Sequence, residues 1–319
     1  MQAAYRKKYC GPEGLEVSEI EKPTPRKNEI LVRVHATTVN RTDCAVLTGK
    51  PFIMRFFVGL MRPKSPVPGT DFAGVVEATG SSVTLFKTGD RVFGFNDQGL
   101  ASQAEYMAIA ETAAVAKIPE GIDYIHAAAS LEAAHYAYNF LNKVKLSAGQ
   151  QVLVNGATGG IGSAVVQFLT HQGVVVTAVA NTKNMDLVKK LGAVRVIDYQ
   201  KEDFTLLKEK FDLVFDAVGK STFGKCKPLL KDGGVYISSE LGPGGQNIFL
   251  PMVTGLFGGK KVKFPLPTDI PRSMRFISDL LVNGAFKPVI DRTYPLEKIA
   301  EAYGYVMTGE KTGNVILEM

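Results

Sequence analysis

Cysteine, histidine and tryptophan are scarce in this chain: 3 Cys, 4 His and 0 Trp among 319 residues. Cys10, Cys44 and Cys226 lie far apart, with no CxxC pair, which excludes a disulfide scaffold and a cysteine-rich zinc site. His35, His126, His135 and His171 are dispersed, and none stands at ligand spacing from a cysteine. No apolar run approaches the ~18 residues a bilayer span needs, so no transmembrane segment is expected. The opening MQAAYRKKYCG lacks an apolar stretch of signal-peptide length, and a reducing, cytoplasmic compartment is the expectation. Charge of one sign is not concentrated either. A balance of 37 Lys and Arg against 31 Asp and Glu leaves +6, scattered apart from Arg6-Lys7-Lys8 and Lys260-Lys261. Such a balance suits anionic small ligands but is no nucleic-acid footprint. Internal repeats and low-complexity segments are missing as well.

What is present is a globular composition, 45% hydrophobic, over a length that predicts two domains. Residues up to about 120 read as short strands, among them 30–36, 74–78, 90–95 and 104–109, punctuated by turns. That spacing predicts a barrel-like β domain. After Pro119 the texture changes. Residues 124–144, rich in Ala, Leu and Tyr, predict a helix. Strands at 151–155, 174–180, 194–197, 211–215 and 235–238 follow, with helical periodicity at Ile161, Val165, Phe168 and Leu169 and at 184–191. The run 174–180 is continuously apolar, as for a strand buried on both faces. The alternation predicts a parallel sheet covered by helices. Helices over 271–283 and 296–307 and a last strand over 315–317 complete the reading.

The most informative segment is QVLVNGATGGIG, residues 151–162. An apolar strand enters a glycine-rich turn that opens an amphipathic helix. Gly156, Gly159, Gly160 and Gly162, with Thr158 and Ile161 between them, allow a tight turn and close backbone approach to a diphosphate. The unpaired N–H groups and dipole of the helix start attract the anion. The strand before, the helix after and the βαβ continuation make the motif specific for a dinucleotide. At the end of the second strand an NAD site ordinarily carries an acid for the ribose hydroxyls. Here Asn181, Thr182 and Lys183 stand there, and no acid occurs before Asp186. Two hydrogen-bonding side chains and a cation suit a 2′-phosphate, so the expected cofactor is NADPH.

These segments resemble the medium-chain dehydrogenase/reductase superfamily, in its zinc-free quinone oxidoreductase branch. The matching stretches are VNRTD (39–43), GTDFAGVVEATG (69–80), GDRVFG (89–94), NGATGGIG (155–162), LGAVRVIDY (191–199), FDLVFDAVG (211–219), KPVIDRTYPLEKIAEAY (287–303) and GNVIL (313–317). They cover nearly the whole chain in the family's order. The resemblance implies an α/β protein with a GroES-like β-barrel domain built from residues 1–121 and 284–319. A Rossmann doubly wound parallel-sheet domain, residues 122–283, is inserted in it. It also implies an active site in the interdomain cleft and a homodimer paired through Rossmann sheet edges.

The resemblance further implies site residues. Zinc alcohol dehydrogenases carry Cys where Asn40 stands and His where Thr70 stands. Amide and hydroxyl groups are poor zinc ligands, and the four cysteines of the structural zinc lobe are missing, so no metal is expected. Without that Lewis acid, alcohol oxidation is disfavoured, whereas quinones and α,β-unsaturated carbonyls accept hydride with less help. The expected activity is zinc-independent hydride transfer from NADPH to a small lipophilic quinone, enone or alkenal. Asn40, Thr70, whose hydroxyl is expected to face the cleft, and Tyr136 are the catalytic candidates. Tyr199, Ala217, Val218 and Gly219 join the turn and residues 181–183 as cofactor-binding candidates. Two other readings stay open: an enoyl-thioester reductase, and a non-enzymatic NADPH-binding sensor or structural protein. Residues 51–66 (PFIMRFFVGLMRPKSP) are unusually apolar and basic, which fits a lid for a lipophilic substrate, a peripheral membrane contact or plain loop packing.

Overall fold

The computed structural model describes residues 1–256 and 259–319. In chain order the elements begin with strands β1 (Gln2–Tyr5), β2 (Glu16–Glu19) and β3 (Glu29–Val39), then helices α1 (Arg41–Thr48) and α2 (Met54–Val58). Strands β4 (Asp71–Thr79), β5 (Arg91–Phe95), β6 (Tyr106–Ala110) and β7 (Val115–Lys117) precede helices α3 (Tyr124–Ala129) and α4 (Glu132–Leu141). Next come β8 (Gln151–Asn155), α5 (Gly160–His171), β9 (Val175–Ala180), α6 (Met185–Lys190), β10 (Arg195–Asp198) and β11 (Phe211–Asp216). The remainder is α7 (Phe223–Cys226), β12 (Leu230–Ser238), α8 (Gln246–Leu256), β13 (Lys261–Lys263), α9 (Ile270–Val282), β14 (Ile290–Pro295), α10 (Ile299–Thr308) and β15 (Asn314–Glu318).

Contacts divide the chain into two compact units, Met1–Glu132 with Ile270–Met319, and Ala133–Asp269. In the first, a sheet runs β14-β15-β3-β4-β5-β7, and β6 also pairs with β3. The long β3 organises it. Its inward residues Ile30, Val32 and Val34 meet Phe72 and Val76 of β4, Val92 of β5, and Met107 and Ile109 of β6 in one apolar core. The last strand, β15, lies antiparallel on the end of β3, pairing Val315 with Val39. A second cluster there joins Ala4, Leu15 and Leu47 from the chain start to Ile299, Tyr303 and Leu317 from its end. The two chain ends thus build one unit.

The second unit holds a six-stranded sheet of order β10-β9-β8-β11-β12-β13, every neighbouring pair parallel. Val152, Leu153 and Val154 are buried, as are Val176, Ala178 and Val179, so both faces of these strands are covered. Strand order reverses between β8 and β11, which opens a crevice at their carboxyl ends.

The expected domain limits at 121/122 and 283/284 put α3 and α9 in the inserted domain. The contacts group both with the first unit instead. For α3 the reason is visible: the Tyr124 ring stacks on His35 of β3 at 4.3 Å, and the Arg91 guanidinium covers it at 4.6 Å. The single helix expected over 124–144 is two helices. Ser130 turns its N–H and its hydroxyl to the Ala127 carbonyl, which closes α3 before α4 begins.

Candidate functional site

The turn after β8 is shaped by its glycines. Gly156 has φ +77°, and a Cβ there falls 2.9 Å from Cβ of Val218. On Gly162 a Cβ falls 2.1 Å from the Gly156 carbonyl oxygen, so only glycine lets α5 seat against the turn. Gly159 differs: its nearest neighbour to a built Cβ is the Gly156 oxygen at 3.8 Å. The fold does not require glycine at 159, and a side chain there would fill the open space before the helix. No side chain caps α5, so the N–H groups of its first turn keep no partner from a capping residue. An uncapped helix mouth behind an open glycine fits a diphosphate.

The cofactor-binding candidates come together around this turn. Ala157 donates its N–H to the Val179 carbonyl at the end of β9 (3.2 Å), and Ala217 donates to Asn155 at the end of β8 (2.9 Å). Tyr199 donates to Ala180 (3.1 Å), with its ring 55% exposed. Residues 156–162, 181–183, 199 and 217–219 therefore gather at one carboxyl edge of the sheet. The Asn181 side-chain oxygen is buried without a hydrogen-bond partner, which fits a ribose hydroxyl. Lys183 is exposed on the short turn that follows. Thr182 does not have the free hydroxyl expected of it. It donates to Asp198 (2.5 Å) and lies 3.0 Å from Gln200 Oε1, so its proton is directed to acceptors of the protein. The Asp198 carboxylate, at the end of the third strand, is itself taken up within the protein, by Thr182 and by the Gln200 N–H (3.0 Å).

Asp216, which ends the strand before the 217–219 turn, fastens that turn. Its buried carboxylate accepts from the N–H groups of Val218 (3.2 Å), Gly219 (3.0 Å) and Ser221 (3.1 Å). It also accepts from the Asn155 amide (3.0 Å) and the Tyr236 hydroxyl (3.2 Å). A full set of donors is what lets a carboxylate sit this deep.

The other candidate group lies in the first unit. Asn40 caps α1, and its backbone N–H is held by the Asp43 carboxylate (2.8 Å). The Asn40 amide nitrogen donates to Thr38 Oγ1 (2.8 Å), and its oxygen accepts from Lys311 (3.4 Å). The Thr70 hydroxyl is fully buried between Asp43 Oδ1 (3.1 Å) and Glu132 Oε2 (3.2 Å). It does not face open space, as the sequence reading expected. Nor is the Asn40 amide idle, since both its ends are engaged. Burial, then the Glu132 and Asp71 charges, hold the Asp43 carboxyl well above its ordinary range. Burial likewise raises Glu132, against hydrogen bonds from Thr42, Thr70 and Asn40, and lowers Lys311, whose charge Glu132 favours. Asp71, beneath them, accepts from Thr38 N–H (2.8 Å) and the Thr37 hydroxyl (3.1 Å), yet burial pushes it to about 7. Glu132 and Lys311 lie in none of the matching stretches, and Asp71, though inside the 69–80 stretch, was not singled out.

This donor set does not fit a zinc ion. Asn40 and Thr70 offer an amide and a hydroxyl already bound within the protein, and the Lys311 ammonium is directed at the amide oxygen. Among the described residues no group of three or more His, Cys, Asp or Glu side chains is placed to hold a metal. Tyr136, the third catalytic candidate, belongs to the second unit. It lies half-buried on α4 with its ring edge-on to His135 (5.7 Å) and stacked on Phe140 (6.4 Å).

Two family profiles match the chain: the alcohol dehydrogenase GroES-like domain over residues 26–120, and a zinc-binding dehydrogenase profile over residues 191–317. A 2-methylene-furan-3-one reductase of Solanum lycopersicum is 32% identical over 94% of this chain and 74% of its own. An NADPH-dependent alkenal/one oxidoreductase of Arabidopsis thaliana is 31% identical over 99% and 79%. The solved quinone oxidoreductase of Coxiella burnetii superposes with a TM-score of 0.88 at 25% identity, over 100% of this chain and 99% of its own. Chain-long identity at this level joins the glycine-rich helix mouth to the stitched β domain, and the chain belongs to the medium-chain dehydrogenase/reductase superfamily, in its quinone oxidoreductase-like branch.

Proposed function

We propose that this chain is an NADPH-dependent oxidoreductase that reduces a quinone or an α,β-unsaturated carbonyl compound without a metal. The observation that carries the reading is the uncapped mouth of α5 behind Gly159, gathered with Asn181, Lys183 and Tyr199 at one edge of the parallel sheet. The names of the relatives point the same way: a furanone reductase and an NADPH-dependent alkenal/one oxidoreductase.

In this reading the N–H groups of the 158–162 segment hold the diphosphate. Asn181 meets the ribose, and Lys183 faces the 2′-phosphate in place of Thr182, whose proton goes to Asp198. Gly219 and its neighbours, kept in place by Asp216, border the bound chain. Bound NADPH supplies the hydride for an electrophilic carbon. The carbonyl oxygen then gathers charge and the product must gain a proton. Tyr136 is assigned as donor, and Asn40 and Thr70 act as positioning residues in the polar cluster with Asp43, Glu132 and Lys311. A homodimer through the outer edge of β13, which pairs with β12 alone among the described strands, completes the assignment.

The test follows NADPH oxidation at 340 nm with quinones and alkenals, beside dissociation constants for NADPH and NADH. Turnover on at least one class with tighter NADPH binding is expected. Saturable NADPH binding with no turnover on any of them would leave only a nucleotide-binding protein.

A further inference from the structure

The segment 51–66 and its neighbours are not used by this chemistry, and they form a built surface. Phe52, Ile53, Phe56, Phe57, Leu60 and Met61 are all more than half exposed, Met61 to 86%. Phe56 and Phe57 lie on the five-residue α2, Phe52 and Ile53 on the turn that leads into it, and Leu60 and Met61 just beyond Gly59, which ends it. The intervening Val58 points inward at 3% exposure, and Met54 and Arg55 are half-buried. The chain therefore turns its larger apolar face outward from an anchored element. The anchors are explicit. The Tyr9 hydroxyl donates to the Gly59 carbonyl, the Arg55 guanidinium lies 4.6 Å over the Tyr9 ring, and Lys64 N–H donates to Val58 (2.8 Å).

Within this segment the charge has one sign. Between Asp43 and Asp71 the sequence holds no acid, while Lys50, Arg62 and Lys64 are exposed. Arg6 N–H donates to the Pro66 carbonyl (3.0 Å), so the strand end carrying the exposed Lys7 and Lys8 is tied to the same surface at both Arg6 and Tyr9. Glu13, in the turn after Cys10, is the acid that follows in sequence. Exposed aromatic and aliphatic side chains in one segment with exposed lysine and arginine and no acid match the two components of an anionic lipid surface, acyl boundary and headgroup charge. A protein partner or a second copy would have to bring its own acids.

We infer that residues 51–66, with Lys7 and Lys8, dock this protein peripherally on anionic phospholipid membranes. The docking stands apart from the reduction chemistry, because it needs neither NADPH nor substrate. The experiment is co-sedimentation of the full chain with phosphatidylcholine vesicles and with vesicles containing one quarter phosphatidylglycerol, at low and at high salt. Binding is expected on the anionic vesicles alone, falling by about fivefold or more when salt screens the cations. F56S/F57S and, separately, K7Q/K8Q/R62Q/K64Q each should lower binding about tenfold, with unaltered circular dichroism and thermal midpoint as the folding control. The charge variant touches exposed side chains only, so it stands if the first fails to fold. Three results would overturn the proposal: no sedimentation with anionic vesicles, equal binding to neutral ones, or a dimer that F56S/F57S converts to monomer while the parent ignores vesicles.

Discussion

Asp71 shows how a residue that was no site candidate can govern behaviour. Its carboxyl is fully buried and pushed to about 7, against 3.8 for a free side chain. The folded chain therefore holds a proton through a pH range in which the unfolded chain has released it. The associated stability is present below about 4 and is lost as pH rises to about 7, on the order of 4 kcal/mol at most. His135 acts in the opposite sense. Burial lowers it from 6.5 to about 4, so its contribution grows as pH rises through that window. The two trends overlap, and the parent curve alone does not separate them. The difference between Asp71→Asn and the parent does: measured by urea unfolding, it should move in favour of the variant from pH 4 to pH 7. A difference independent of pH would contradict the raised value. Thr182 and Asn40 carry the same lesson. Both are hydrogen-bonding residues at the expected places, yet the fold already directs their groups to Asp198, Thr38 and Lys311.

Among the elements, the β8–turn–α5 unit separates folding from binding. Gly162 is required by the protein, since a Cβ meets the Gly156 backbone at 2.1 Å, and a backbone atom has no cheap way to move aside. Gly162→Ala should cost about 1–3 kcal/mol of stability and weaken NADPH as well. Gly159 sits in ordinary extended backbone, φ −71° and ψ 170°, with nothing closer than 3.8 Å to a Cβ. Gly159→Ala should leave the thermal midpoint within about a degree and raise the NADPH dissociation constant about tenfold, because the methyl occupies the diphosphate's approach. Calorimetric unfolding and titration on the two variants check both halves. Equal effects of the two on binding and stability would refute the division of roles. Some helices were not legible beforehand. Helix α8 contains Pro251 and follows Gly242, Gly244 and Gly245, all at positive φ, so its local sequence reads as loop. Helix α1 was not among the expected elements, and the Asn40 and Asp43 capping pair at its start is seen only in the structure.

For the molecule as a whole, the two compact units pose a thermodynamic question that ligand linkage answers. NADPH at 100 times its dissociation constant should add about 2.7 kcal/mol to the state that binds it. With unfolding entropy near ~2.1 cal/mol/K per residue, a single transition of the whole chain would shift its midpoint by about 4 °C. If Ala133–Asp269 melts by itself, its smaller entropy makes the shift about 9 °C. Scanning calorimetry with and without NADPH distinguishes these cases, and no shift at saturation would contradict nucleotide binding by the folded chain.

Sequence alone determined the parallel sheet, the glycine-rich turn and the family, because strand periodicity, unbranched turn residues and motif order are local properties that survive as text. It also exposed the unusual character of residues 51–66. Only the tertiary structure decided which polar groups are spent. Glu132 and Lys311 are distant in the chain from Thr70 and Asn40, and only folding brings them close enough to take up their hydrogen bonds and shift their charges. Assignment of α3 to the first unit was likewise settled by Tyr124 meeting His35 and Arg91, a contact between segments that no short-range pattern encodes.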